Sequence, residues 1–405
     1  MNYAFSVRSG SLLGVVLILL SGLWLGVAPA SAVQTCPDQQ VPPPPVDTSE
    51  QPPPGQPSPA PLPVPAEPVG GARMGECGLV YPRGADTPPE TTASSWLLQD
   101  LDTGAVLAAK DPHARERPAS LIKTLLALVV INQFQPGDVI HPTAEDASQE
   151  CTCVGLVAGG TYTVDQLLHG LLMHSGNDAA HAFATALGGV PVTVQKMNGM
   201  AQSLGATDTR VATPSGLDGP GMMTSAYDLS LIFHAGMRLP AFAAAVSTKA
   251  YEFPAQNGKP AFSIYNDNKL LGSYEGFLGG KTGFTDDARH TYVGGAARGG
   301  RRLAVVMMRA EQRPTLVVQQ AAQLLDYGFN LAKSGKGSVG QLIEPVATTQ
   351  EPSAAEQAGA APGAAAQGAA AHRDAFGTTG WLVTLVVALL IVAGFVLGRL
   401  RRRTR

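Results

Sequence analysis

The chain is short of charge. Asp, Glu, Lys and Arg make up only 15% of its 405 residues and the net charge is −3, against about 25% charged residues in an ordinary soluble chain. A balance of this kind leaves no basic footprint, and no nucleic-acid partner is expected. Cysteine is scarce as well. Cys36, Cys77, Cys151 and Cys153 are too few for a disulfide scaffold in a chain of this length, and they are not spaced as metal ligands. Glycine and proline are plentiful, 46 and 32 residues respectively, and their concentration in particular stretches divides the chain.

The ends read as export and anchoring. Arg8 precedes an apolar run over 12–27, and Ala30 and Ala32 supply the small-x-small pattern of a signal peptidase site, so 1–32 is expected to be a signal peptide. Cys36 does not make a lipoprotein site, because Gln34 and Thr35 are wrong for one. Residues 33–87 read as a Pro-rich extracytoplasmic linker. Thirteen of the 28 residues from 41 to 68 are proline, the composition of a polyproline-II stalk with little to bury. Residues 346–379 read as a flexible Ala/Gly-rich linker, and 380–398 are nineteen residues without a charge, close to the ~20 that cross a hydrocarbon core. Arg399, Arg401, Arg402, Arg403 and Arg405 follow, and the positive-inside rule assigns this 399–405 tail to the cytoplasm. The expectation is a single-pass cell-membrane protein whose folded domain, 88–345, stands outside the cytoplasm.

Outside the cytoplasm the cysteines are expected to be oxidised. Four allow three connectivities, among which sequence does not choose. Cys151 and Cys153 stand too close along the chain for a relaxed bridge, and a bridge from the N-terminal extension to their loop is the attractive alternative.

Within the domain, 96–102 and 105–110 read as a hairpin turning at Thr103-Gly104. A buried helix is expected from Ser120 to about Phe134, a mostly helical stretch over 163–242, two strands over 290–297 and 302–308, and a closing helix over 314–331. Strands at both ends with helices between them predict an α+β fold, an antiparallel sheet with a helical insertion.

Three short patterns carry chemistry. In Arg117-Pro118-Ala119-Ser120-Leu121-Ile122-Lys123, proline suits a first helical turn. Ser120 then sits at the positive helix end, with Lys123 three residues on and on the same face. The apolar run that follows buries this helix, and a desolvated lysine can serve as base to the hydroxyl. Taken alone, a capping serine and a snorkelling lysine explain this pattern as well. In His174-Ser175-Gly176-Asn177-Asp178, a hydroxyl and an amide two apart can share one cleft, although a turn with local side-chain bonds would look the same. No acidic partner for His174 is in view, so it reads as a structural neighbour. In Gly279-Gly280-Lys281-Thr282-Gly283-Phe284-Thr285, glycines let a ligand's backbone approach an edge strand, while Lys281 and Thr282 suit a carboxylate.

Together, in this order, the three patterns resemble the Ser-x-x-Lys, Ser-x-Asn and Lys-Thr-Gly boxes of the serine-type penicillin-recognising proteins. The flanks, including Thr213-Pro214-Ser215-Gly216-Leu217-Asp218 and Thr224-Ser225-Ala226-Tyr227-Asp228, are similar to those of the low-molecular-mass D-alanyl-D-alanine carboxypeptidases. The resemblance covers about 94–331. It implies a five-stranded antiparallel sheet flanked by helices, with an all-helical subdomain. It implies Ser120 as acylated nucleophile, Lys123 as proton acceptor and Ser175 as proton shuttle, with Asn177 holding the substrate peptide. Lys281 and Thr282 would bind the terminal carboxylate, and the N–H groups of Ser120 and Phe284 would form an oxyanion hole. Substrates would be peptidoglycan stem peptides, with β-lactams as covalent inhibitors, and neither a metal nor an organic cofactor would be required.

Ala288-Arg289-His290 departs from the family's usual continuation after the third box, and no second folded domain is expected. A class A β-lactamase would need a Glu-x-x-Leu-Asn element between the second and third boxes. The only glutamates there, Glu252 and Glu275, do not begin one. Cleavage of crosslinks by the same residues stays open, and a non-catalytic penicillin sensor is disfavoured by the short tail.

Overall fold

The computed structural model describes residues 36–343. The expected signal peptide, Ala/Gly-rich linker, spanning segment and tail lie outside the described residues. Among these, no single helix is long and apolar enough to cross a membrane.

The elements begin with β1 (Leu79–Val80) and the hairpin β2 (Ser95–Asp100) and β3 (Ala105–Lys110). A 3-10 turn, Ala119–Ile122, runs directly into α1 (Lys123–Gln133). Next come β4 (Val139–Ile140), α2 (Ala144–Ala147), β5 (Tyr162–Thr163), α3 (Val164–Met173), α4 (Asn177–Ala186) and α5 (Val190–Ser203). After a loop follow α6 (Ala226–Gly236), α7 (Pro240–Ser247) and the hairpin β6 (Ala250–Phe253) and β7 (Phe262–Tyr265). The chain then returns to the main sheet with β8 (Phe277–Thr285), β9 (Arg289–Arg298) and β10 (Arg301–Ala310), and closes with α8 (Val317–Ser334) and β11 (Gly340–Gln341).

The sheet order is β1-β3-β2-β10-β9-β8, with β11 also on β3 and every pairing antiparallel. The five long strands make the five-stranded sheet that the resemblance implied. The two-residue strands β1 and β11 both extend it at β3, and β8 forms the opposite edge. Burial follows from composition: β2 is buried throughout and α1 from Lys123 to Val130. One face of the sheet packs on the helices of the insertion and the other on α8. α8 is buried at Val317, Gln320, Ala321, Leu324, Leu325 and Gly328, the three-four spacing of an amphipathic helix. A side chain at Gly328 would meet Leu98 at 2.7 Å, so glycine is what lets α8 lie close on the sheet.

Two expectations need correcting. The Pro-rich segment is no free stalk. Its backbone carbonyls, which proline leaves unpaired, are taken up by buried arginines. Arg115, fully buried, donates to Gln40 O at 2.8 Å, Leu62 O at 2.6 Å and Pro63 O at 2.8 Å, and its Nε reaches Asp208 at 3.2 Å. Arg117 donates to Pro43 O at 2.7 Å and pairs with Glu50, Nη2 to Oε2 at 2.7 Å. The segment is therefore a strap held to the domain. Composition hid this because the partners lie far along the chain.

The disulfides are Cys36–Cys77, which closes the strap on itself, and Cys151–Cys153. The second pairs the two cysteines judged too close. Their Cα atoms are 4.7 Å apart, within the ordinary range, because the chain turns at Thr152.

Replacing Arg115 by alanine strips three strap carbonyls of their donor and leaves Asp208 short of a cation. Breaking a buried pair of this kind costs about 3–5 kcal/mol. Denaturant titration of Arg115→Ala should show a loss of that size, and limited proteolysis should cut the strap within 41–68. A variant as stable and as protease-resistant as wild type would refute the anchoring.

Candidate active site

Ser120 stands in the 3-10 turn ahead of α1, where Pro118 is the residue before the turn. The turn is pinned from the sheet: Thr291 on β9 donates its hydroxyl to Pro118 O at 2.9 Å. Sequence reading expected a plain α-helix from Ser120; the tighter turn instead leaves the serine half-buried at the helix entrance.

Lys123 is wholly buried one turn on. Its Nζ lies 2.9 Å from Ser120 Oγ, 2.7 Å from Asn177 Oδ1 and 2.5 Å from Ser215 O. Burial holds its pKa well below that of a free lysine, and the charge on Lys281 pushes the same way, against the pull of Asp178. With two oxygen acceptors fixed, a neutral amine keeps its lone pair for the serine hydroxyl.

The second pattern turns into the same place. Ser175 has φ 61°, a left-handed backbone, and is 6% exposed. Asn177 begins α4. Its backbone N–H donates to Thr152 O at 2.7 Å and its side-chain amide to Glu150 O at 2.6 Å. Asp178, fully buried, accepts from the backbone N–H groups of Val154, Gly155 and Leu156. The disulfide loop is thus stitched to the start of α4 on both sides of the bridge. His174 does have an acidic neighbour, Asp267 at 3.4 Å, which sequence did not show. It lines neither of the cavities at Ser120.

The third pattern lies inside β8 rather than in a turn. Lys281 is 2% exposed and donates to Thr282 O at 2.6 Å. Burial lowers its pKa to about 8, Asp267 opposing. Gly283 brings the strand against the nucleophile: a Cβ there would stand 2.9 Å from Ser120 N and 2.5 Å from Thr291 Oγ1. Phe284 follows, 46% exposed on the strand's free edge, with Arg289 over its ring at 5.5 Å. Ser120, Lys123, Ser175, Asn177, Lys281, Thr282 and Phe284 thus converge on one cleft.

The cleft has two lobes that share Ser120. One, of about 630 Å³, is lined by Asn177, Leu217, Asp218, Thr285, Asp286, the Glu150–Thr152 stretch and, from the strap, Asp47 and Ser49. The other, of about 490 Å³, holds Ser175, Thr282, Lys269 and His290. Sequence reading missed the Ser215 carbonyl, the loop at Thr152 and the strap. Thr213 to Asp218 stood out by its flank pattern, whereas nothing in a proline run announces a cleft wall.

A half-buried serine held against a buried lysine, facing a glycine-lined edge strand, fits an acyl-transfer enzyme with a serine nucleophile. Comparison with known proteins narrows the class. The sequence pattern of the D-alanyl-D-alanine carboxypeptidase family matches residues 83–312. The chain is 47% identical over 268 residues to D-alanyl-D-alanine carboxypeptidase DacB2 of Mycobacterium tuberculosis, covering 65% of this chain and 90% of that protein. It is 31% identical over 245 residues to D-alanyl-D-alanine carboxypeptidase DacF of Bacillus subtilis, 59% of this chain but only 62% of that one. A crystal structure of D-alanyl-D-alanine carboxypeptidase from Mycobacterium tuberculosis H37Rv superposes with a TM-score of 0.62 at 45% identity, over 65% of this chain and all of that one. The Streptomyces K15 DD-transpeptidase superposes with a TM-score of 0.56 at 26% identity, over 60% and 100%. The chain belongs to the D-alanyl-D-alanine carboxypeptidase family and is a peptidase of the penicillin-recognising fold.

Gly216 has φ 90°, and a Cβ there would come 2.0 Å from Ala119 O. Gly216→Ala should therefore push the Ser215 carbonyl off Lys123 and slow acylation of Ser120 at least 100-fold. Intact mass against time with a β-lactam measures this; a rate within threefold of wild type would contradict it.

Proposed function

We propose that this chain removes the terminal D-alanine from peptides ending in D-Ala-D-Ala, through an acyl-enzyme on Ser120. The observation that carries the reading is the 2.9 Å contact between Ser120 Oγ and a fully buried, charge-depleted Lys123. As Ser120 Oγ bonds to the carbonyl carbon between the two D-alanines, Lys123 Nζ takes the hydroxyl proton. The carbonyl electron pair moves onto oxygen, where the N–H groups of Ser120 and Phe284 would hold it, typically ~3–4 kcal/mol per donor. Collapse breaks the C–N bond, and the leaving amine takes a proton through Ser175. Water then attacks the ester, gives up its proton to the Lys123–Ser175 pair, and releases the shortened peptide with Ser120 restored. Asn177 would hold the peptide, and Lys281 with Thr282 the terminal carboxylate.

Peptidoglycan stem peptides are the substrates and β-lactams the covalent inhibitors that this reading implies, since a β-lactam acylates the serine without supplying a leaving group that departs. The apolar 380–398 segment and its arginine-rich flank support a single membrane anchor, with the 88–345 domain outside the cytoplasm.

The test uses the full chain. Wild type should release D-alanine from a D-Ala-D-Ala peptide and gain one penicilloyl mass; Ser120→Ala should do neither while keeping its circular dichroism spectrum. Turnover by Ser120→Ala near the wild-type rate would sink the assignment.

The two lysines also predict a pH profile. kcat/KM should rise as Lys123 deprotonates, on an acid limb far below the pKa of free lysine. Lys281 binds a carboxylate only while protonated, so KM should rise above about pH 8 as it loses its charge. A KM flat from pH 7 to 10 would remove Lys281 from carboxylate binding.

A further inference from the structure

The two lobes that meet at Ser120 differ in charge. The lobe bordered by Thr282 lies beside the buried Lys281 and carries Lys269, partly offset by Asp267. The other carries Asp47, Glu150, Asp218 and Asp286, with no lysine, arginine or histidine in its lining. Two arginines on the flanking elements are committed elsewhere: Arg117 to Glu50 and Pro43 O, and Arg289 to Glu311 at 2.8 Å.

One strand edge joins the lobes. β8 passes from Lys281 and Thr282, beside the first lobe, to Phe284 and Thr285 at the second, with Asp286 following in the turn, and among the described residues no strand covers its outer side. A peptide laid along that edge as an added strand would have its direction fixed by charge. Its C-terminal carboxylate goes to the Lys281 end, and the residues ahead of the scissile bond enter the acidic lobe.

The strap builds the wall of that lobe. Val46 N–H and Ser49 Oγ both bond the carboxylate of Asp287, which is 6% exposed on the turn after β8. Glu50 pairs with Arg117, three residues before the nucleophile. Asp47, fixed between these anchors, is exposed towards the cavity, and its hydrogen bonds from Ser49 hold its carboxyl below the usual range, ionised at neutral pH.

We infer that the strap is a specificity element of the cleft, and that Asp47, with Glu150 and Asp286, selects D-Ala-D-Ala peptides that carry a free side-chain ammonium within the two residues ahead of the D-alanine pair. The inference rests on the carboxypeptidase reading above and deepens it. A stem peptide whose side-chain amine is free carries that charge; one whose amine is acylated in a crosslink does not.

The test compares two peptides with the full chain at pH 7.5, N-acetyl-Lys-D-Ala-D-Ala and its Nε-acetyl counterpart. Wild type should favour the free amine about tenfold in kcat/KM, the scale of one partly screened charge pair. The preference should shrink at 0.5 M salt and fall towards unity in Asp47→Asn. Equal turnover of the two peptides by wild type, or an undiminished ratio in Asp47→Asn, would overturn the strap's role. Penicilloyl adduct on wild type and variant, read by intact mass, reports separately on Ser120. Its absence from wild type would overturn the carboxypeptidase reading itself, whereas an adduct on both with a ratio near unity would overturn only the selectivity.

Discussion

Everything in the cleft depends on burying one amine. A lysine in water holds its proton at neutral pH and is no base; moved into a site without solvent, its pKa falls because the charged form loses its hydration. Lys123 is buried because α1 is apolar on all sides, and α1 is buried because the insertion helices and the sheet close around it. The fold thus acts on the chemistry through exclusion of water rather than through a partner residue. Lys281 strengthens the effect, since two buried ammonium groups near one another cannot both stay charged cheaply.

The second organising constraint is the supply of hydrogen-bond donors to a segment that has few of its own. A proline-rich stretch cannot pair its backbone into a sheet, yet its carbonyls still need partners where they meet the domain. Arg115 and Arg117 supply these on the connection from β3 to the nucleophile turn. The residues that anchor the strap are therefore chain neighbours of Ser120.

Much of this was legible in sequence where the physics is local. The hairpin at Thr103-Gly104, the buried helix after Ser120 and the strand pair around Arg298-Gly299-Gly300 follow from periodicity and turn chemistry, and their bounds shift by only a few residues. The three boxes picked out residues that the fold brings to one cleft, because each needs particular residue types at fixed spacing. The illegible parts are long-range. Asp267 beside His174, the Ser215 carbonyl on Lys123, and the strap's contacts join residues tens to hundreds of positions apart. The Cys151–Cys153 bridge was misjudged because the backbone conformation at Thr152, not the sequence separation, sets the Cα distance.

The position of β11 has a mechanical consequence. It joins the sheet beside β3, five strand spacings from β8, or about 24 Å at ~4.8 Å per spacing. The described chain therefore departs from the margin of the sheet farthest from the edge where substrate would lie. Pull on the chain beyond β11 loads the β3 margin first, and across the sheet it reaches the edge strand β8 only through four intervening ladders of hydrogen bonds. Strain entering at β11 is thus spread over the width of the sheet before it meets the edge that carries Lys281 and Thr282.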